Sequence, residues 1–426
     1  MEQIEKIFKI RENHTTVKTE IIAGLTTFMT MAYIIALNPN LLTGFGAEGQ
    51  NLWNGVFLAT CIASFIGMMV MAFVANKPFA MAPGMGLNSF FAVVVANIVG
   101  LTGMSYLESF QSALCIILLE GIIFIILSVL NIRDKIVNAI PLGVRLGISP
   151  AIGLMLLNIG VGSNAGIYSE NGGPFFVMRD FFGALTPSVA QDAMGSGYTQ
   201  MVLTVVTMFI GLFVIIVLAQ KGVKAAVILG MLAASVIYWA GEAIFLGTNP
   251  FAGLKGASFV PPFADMAETT LFHFDFAGFV KIGWFTAITL IITFCIIDMF
   301  DTIGTLVGVS NKAGMLVNGK VPRAKQAFMA DAIGTTVGAM LGTNTVSTFV
   351  ESASGIAQGG RSGITSFVTA ICFGIALLFA PLFLSIPSAA TCPILVLVGL
   401  FMMSPIKDID LDDFTESVPA FICIIM

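Results

Sequence analysis

Stretches of about twenty mostly apolar residues follow one another along nearly the whole chain, and nothing else limits its fold so strongly. A helix needs roughly 20 such residues to cross about 30 Å of hydrocarbon. Candidate spans lie near 20–41, 54–75, 79–99, 109–131, 137–159, 200–219, 223–246, 282–306, 325–342, 344–357, 363–384 and 387–405, and a thirteenth opens near 414. Charged residues make up 10% of the chain, against about 25% in an ordinary soluble domain. Water cannot be the solvent for most of such a surface, so the expected class is an all-α polytopic membrane protein. The last segment has only about a dozen residues around Pro419 before Met426, too few to cross. The C-terminal spans are therefore expected to be cut short.

Loop charges give the orientation. With residues 1–19 as a cytoplasmic N-terminus, the inner segments hold Lys6, Lys9, Arg11, Lys18, Lys77, Arg133, Lys135, Lys221, Lys224, Lys312, Lys320, Arg323, Lys325, Arg361 and Lys407. The outer ones hold only Arg179, Lys255 and Lys281, and Arg145 falls inside a span. Fifteen cations against three is the asymmetry of the positive-inside rule, and one missed span would scramble it. The first twenty residues are charged and lack an apolar core, so no cleavable signal is read there. The two long outer loops run over about 160–199 and 247–280. The expected location is the cell membrane, crossed many times.

Several function classes drop out. The six cysteines stand singly in apolar stretches, as buried small hydrophobes do. His14 and His273 are far apart, so neither a metal site nor a His-based triad is expected, and no nucleophile–base constellation suggests an enzyme. No cofactor is expected, and no nucleic-acid partner. The glycines of Ala82-Pro83-Gly84-Met85-Gly86-Leu87-Asn88-Ser89 do not complete a dinucleotide fingerprint.

Polar groups at membrane depth are costly and tend to be functional. In Asp298-Met299-Phe300-Asp301-Thr302-Ile303-Gly304-Thr305, the side chains of Asp298, Asp301 and Thr305 are three and four residues apart and share a helix face. Two acids so close disfavour double ionisation, which suits a proton carrier; a structural cap or helix–helix pairing is the alternative reading. In the segment from Gly342 to Gly355, Thr345-Val346-Ser347-Thr348 alternates like a strand, and the small residues after Glu351 suit a short helix. Non-helical backbone at that depth must face protein or a cavity. Pro83 and two glycines likewise interrupt the third span, with Asn88 placed to cap its second half. These broken segments are the third and tenth spans, the kind of matched interruption that points to a transporter site between repeats. Seven spans apart, they require the second half to be inverted. Gly334, Gly338 and Gly342 form a close-packing stripe, so the ninth span reads chiefly as packing. Glu120 and Glu242 are candidates either for a proton path or for structural hydrogen bonds.

Ala80 to Asn88, Asp298 to Leu306, and Thr345 to Gly355 with Glu351 resemble the signatures of the azaguanine-type purine permeases, relatives of the uracil and xanthine permeases in the nucleobase–ascorbate transporter superfamily. The resemblance runs from Thr16 to Met426. It implies fourteen spans as a 7+7 inverted repeat, with short strands in spans 3 and 10 holding the base. A core domain would take 20–131 (spans 1–4) and 282–384 (spans 8–11). A gate domain would take 132–246 (spans 5–7) and 385–426 (span 12 and the start of 13). By motif position, Glu351 resembles the glutamate that hydrogen-bonds the base, Asp301 the acid linked to proton coupling, and Asn88 an asparagine needed for purine recognition. Thr305 and Phe349 match positions on or near the ligand; Asp298 has no firm counterpart and remains a second candidate for the proton. The implied activity is proton-coupled uptake of hypoxanthine or guanine by alternating access. The alternatives are an adenine permease of the same family and, further off, a sulfate- or bicarbonate-type anion transporter of the same fold. Purine base and membrane lipid are the expected partners, and the oligomeric state, a homodimer among the options, stays open.

The topology is testable: a reporter active only in the cytoplasm, fused ahead of Met1, is expected to be active, and one that works only outside to be silent. The reverse pattern would refute the orientation.

Overall fold

The computed structural model describes residues 2–44, 48–130, 141–164, 187, 197–251, 258–312, 314–315 and 321–425. Arg133, Lys135, Arg179, Lys255 and Lys320, the start of the fifth expected span and most of the first long outer loop lie outside them. Among the described residues, ten helices are long and apolar enough to cross a membrane. Two expected spans are absent from that set. The stretch 325–342 does form a helix, Ala324–Leu341, but its glycines, threonines and Asp331 dilute its hydropathy. The stretch 344–357 is a three-residue strand followed by one short helix.

The chain divides into two compact units. The first comprises 1–139 and 260–380. Its helices are α1 (Glu2–Ile7), α2 (Val17–Met31), α3 (Ile34–Leu42), α4 (Gln50–Val70), α5 (Met85–Thr102), α6 (Tyr106–Leu130) and, after the second unit's first segment, α10 to α15. The second unit, 140–259 and 381–426, holds α7 (Leu142–Ile159), α8 (Tyr198–Gln220), α9 (Ala226–Gly241), α17 (Ser388–Met402) and α18 (Phe414–Ile425). In the first unit α10 is Phe263–Thr269, α11 Phe276–Lys281, α12 Trp284–Lys312, α13 Ala324–Leu341, α14 Ser352–Ile356 and α15 Gly363–Ala376; a short α16, Ala380–Leu384, follows.

The first unit is tied together by small residues and buried polar anchors. α13 packs on α4 and α6, and α15 on α2 and α4. A Cβ at Gly334 would stand 3.1 Å from Val346 and 3.6 Å from Gly67 Cα, so the glycine stripe is what lets α4, α13 and the strand region meet. Phe91, Phe110, Leu114, Ile117 and Phe294 fill the space between α5, α6 and α12. Glu20, buried on α2, accepts from the backbone N–H of Arg361 at 2.7 Å and of Ser362 at 3.1 Å, and from the Thr365 hydroxyl at 2.6 Å. An acid at the start of α15 satisfies amides that have no helical partner. Asn76 repeats the device, accepting from Gly363 N–H at 2.8 Å while donating to the Phe8 carbonyl at 3.0 Å.

In the second unit, α7 lies against α17 and α18, and α8 against α9 and α17. Gly143, Gly147 and Gly153 form the seam of α7: added Cβ atoms would run into Glu416, Ala420 and the Gly399 carbonyl respectively. Gly153→Leu is accordingly expected to destabilise the detergent-solubilised protein by about 1–3 kcal/mol, seen as a lower melting temperature. Gly100→Ala, where nothing lies within 4 Å, is expected to be neutral or to stabilise by up to ~1 kcal/mol. Equal effects of the two would contradict this packing.

Candidate functional site

The site begins with backbone that cannot be helical. Pro83 removes a donor and Gly84 a side chain, and the alternating Thr345-Val346-Ser347-Thr348 prefers extended backbone. These segments pair as strands β1 (Met81–Pro83) and β2 (Val346–Thr348), antiparallel, with Met81 opposite Thr348, Ala82 opposite Ser347 and Pro83 opposite Val346. Gly84 N–H donates to the Thr345 carbonyl at 3.0 Å and Phe349 N–H to the Ala80 carbonyl at 2.9 Å, lengthening the ladder at both ends. The strands are wholly buried, where an unpaired peptide group would cost several kcal/mol.

The two faces of β2 do different work. Val346 turns toward the glycines of α4 and α13. Its neighbours turn the other way, and each hydroxyl meets a carboxylate. Thr345 donates to Glu120 of α6 at 2.7 Å, and Ser347 donates to Asp301 of α12 at 3.0 Å. Gly84 is required here, since a Cβ would stand 2.6 Å from Ser347 Oγ and 3.5 Å from Asp301 Oδ2. Just beyond β2, Glu351 accepts from the Tyr33 hydroxyl at 2.6 Å and lies within electrostatic reach of Asp301. Asp301 and Glu351 are each only partly buried. Neither acid takes part in an ion pair among the described residues; the pairs found there include Lys9–Glu12 and Arg11–Glu5.

The other expected residues fall around this pair. Asn88 does not cap α5, whose capping residue is Gly84. It sits in the first turn, fully buried, donating back to the Pro83 carbonyl at 3.2 Å while Oδ1 has no partner in the structure. A β1 that runs straight into the helix leaves the capping position to Gly84, which explains the difference. Thr305, one turn beyond Asp301, and Phe349 are buried, at 7% and 4% exposure. Asp298 takes a different side of α12 from Asp301. Thr302 Oγ1 lies 3.3 Å from Asp298 and 3.0 Å from both oxygens of Asp331 on α13, so one hydroxyl stands between two buried acids. The ninth span thus carries a polar contact beside its packing role. Glu242 is half-buried at the end of α9. An apolar groove of about 340 Å³ lined by Val94, Ile98, Leu101, Ile282 and Leu290 brings no carboxylate.

Sequence reasoning missed Tyr33 and Ser347, and it set Asp331 aside by reading the ninth span chiefly as packing. The alternation of β2 could have found Ser347, but nothing in an apolar first span links Tyr33 to a residue 318 positions away.

A permease family profile, that of the xanthine and uracil permeases, matches residues 18–426. The chain belongs to that family. It is 38% identical over 426 residues to a putative permease of Methanocaldococcus jannaschii, covering 100% of this chain and 88% of that one. It is 35% identical to the guanine/hypoxanthine permease PbuO of Bacillus subtilis (98% and 88% covered) and 34% identical to the adenine permease AdeP of Escherichia coli (99% and 85%). Among solved structures, the transmembrane domain of the cyanobacterial bicarbonate transporter BicA matches with a TM-score of 0.65 at 14% identity, over 96% of this chain and 94% of that one. SLC26A9 matches with 0.63 at 11%, over 100% and 66%. The fold is therefore one shared with those transporters, in a purine nucleobase permease family.

Thr302→Val removes the hydroxyl between Asp298 and Asp331 and is expected to cost about 1–3 kcal/mol of stability. An unchanged melting temperature in detergent would show that the hydroxyl contributes nothing.

Proposed function

We propose that the chain carries purine nucleobases into the cell together with protons, guanine and hypoxanthine ahead of adenine. The observation that carries the reading is the convergence of Asp301 and Glu351 on the end of a buried strand pair, with hydroxyls instead of cations for partners. A purine is a flat apolar body with donors and acceptors around its edge. Carboxylate oxygens, the spare Asn88 Oδ1 and strand backbone suit that edge, and an aromatic ring such as Phe349 suits its face. Relatives named for guanine/hypoxanthine and for adenine transport support the substrate class. The oxopurines come first because they offer an N–H donor at the ring nitrogen where adenine has a bare one, and a donor is the complement of a carboxylate acceptor.

In this reading Asp301 takes a proton from outside, which removes a charge poorly solvated at membrane depth and lowers the cost of seating a neutral base beside Glu351. Asp298, coupled to Asp331 through Thr302, is the second candidate for the proton. Residues 20–131 and 282–384 act as the core that moves, and 132–246 with 385–426 as the gate, giving alternating access in the cell membrane. A proton moving inward gains about 2.3 kcal/mol per 100 mV, enough for roughly fortyfold accumulation. An anion substrate of the kind BicA is named for is disfavoured, because two carboxylates would repel it.

Uptake of labelled hypoxanthine in cells lacking their own permeases tests the reading, with guanine, adenine, xanthine and uracil as competitors, with and without a protonophore. Asp301→Asn is expected to abolish protonophore-sensitive accumulation. Glu351→Gln is expected to raise KM about tenfold or more, since a hydrogen bond to a charged group contributes roughly 1.5–3 kcal/mol. Normal protonophore-sensitive uptake in both variants would overturn the assignments.

A further inference from the structure

Among the described residues Tyr33 is the phenol placed against the proposed base-reading acid, and its position is built rather than incidental. The first span is not one helix: α2 stops at Met31 and α3 starts at Ile34, and Tyr33 occupies the turn between them, 2% exposed. α14, which follows Glu351, is pressed onto α2 because Gly355 has no side chain. A Cβ there would collide with Thr27 Oγ1 and the Ala23 carbonyl. Close approach of α14 to α2 therefore sets the reach between Glu351 and the turn, and the resulting O–H···O distance is 2.6 Å.

The consequence is chemical. In this structure the Tyr33 phenol donates to Glu351 Oε1, and a donor favours the ionised carboxylate over the neutral acid. An ionised Glu351 can accept from a ligand but cannot donate to it. Guanine and hypoxanthine present an N–H at the ring nitrogen beside their exocyclic oxygen. Adenine presents a bare nitrogen at that position, which faces an acceptor only at the cost of two unpaired groups.

We propose that Tyr33 is a specificity-determining residue of this permease: by donating to Glu351 Oε1 it keeps that carboxylate an acceptor and so selects oxopurines over adenine. Tyr33 acts through Glu351 and need not touch the base. This rests on the purine reading above, and the test separates the two. Wild type and Tyr33→Phe are compared for uptake of labelled hypoxanthine and labelled adenine in permease-deficient cells, with KM and maximal rate resolved for each base. The expected result is a rise of about tenfold in the ratio of the hypoxanthine KM to the adenine KM, the scale of one lost hydrogen bond to a charged group, with maximal rates much less affected. Loss of both uptakes in proportion, or no change in either, would leave the ratio fixed and overturn the proposal. Should Tyr33→Phe not reach the membrane, Tyr33→His against Tyr33→Leu makes the same comparison. The donor-bearing histidine is expected to keep the lower ratio and leucine to raise it, and equal ratios in the two overturn the proposal. A wild type that transports neither base would instead refute the purine reading itself.

Discussion

Two three-residue strands meet in the interior of a helical membrane protein, and the remaining architecture follows from keeping that pairing intact. Extended backbone at membrane depth survives only if every peptide group is satisfied. The ladder from Ala80–Phe349 to Gly84–Thr345 does this, and Ser352 Oγ takes the Ala80 N–H at 2.9 Å. Thr335 of α13 contacts both the N–H and the carbonyl of Val346 at 3.2 Å. The glycines of α4 and α13 are small so that helices can close over the back of β2. Its front is thereby free to meet acids.

Those acids share a design. Asp301 has Ser347, Glu120 has Thr345, Glu351 has Tyr33, and Asp331 has Thr302. Each is met by a neutral hydroxyl, and neither Asp301 nor Glu351 takes part in an ion pair among the described residues. A cation would lock a carboxylate in its charged form and make a proton expensive to add. A hydroxyl orients a carboxylate without adding charge, and as a donor it favours the ionised form less strongly than a cation does. The bicarbonate transporter BicA, at 14% identity, shares this fold, so the scaffold by itself does not fix the cargo. Function must be argued from the side chains placed on it.

Much of this was legible in the residues. The apolar runs marked the helices, the alternation from Thr345 to Thr348 marked a strand, and Pro83 with its glycines marked the other break. Asp301 and Glu351 stood out because acids are rare at such depth. What could not be read was pairing across the chain. Tyr33 and Glu351 are 318 residues apart, and Thr345 and Glu120 are 225 apart. Which hydroxyl meets which acid depends on how helices pack, not on local pattern. Asn88 was misplaced by a simpler cause: a strand feeding directly into α5 shifts the cap to Gly84. Asp298 and Asp301, three apart, fit one broad face on spacing alone, yet the 60° between them suffices to turn Asp298 toward α13.

The claim that most needs direct proof is that a base sits where β1, β2 and the two acids converge. Determining the structure with hypoxanthine bound tests it. The account predicts planar density within hydrogen-bond distance of a Glu351 oxygen, beside Asp301 and the Asn88 amide. Density for the base elsewhere, with the strand ends and both carboxylates untouched, would contradict it.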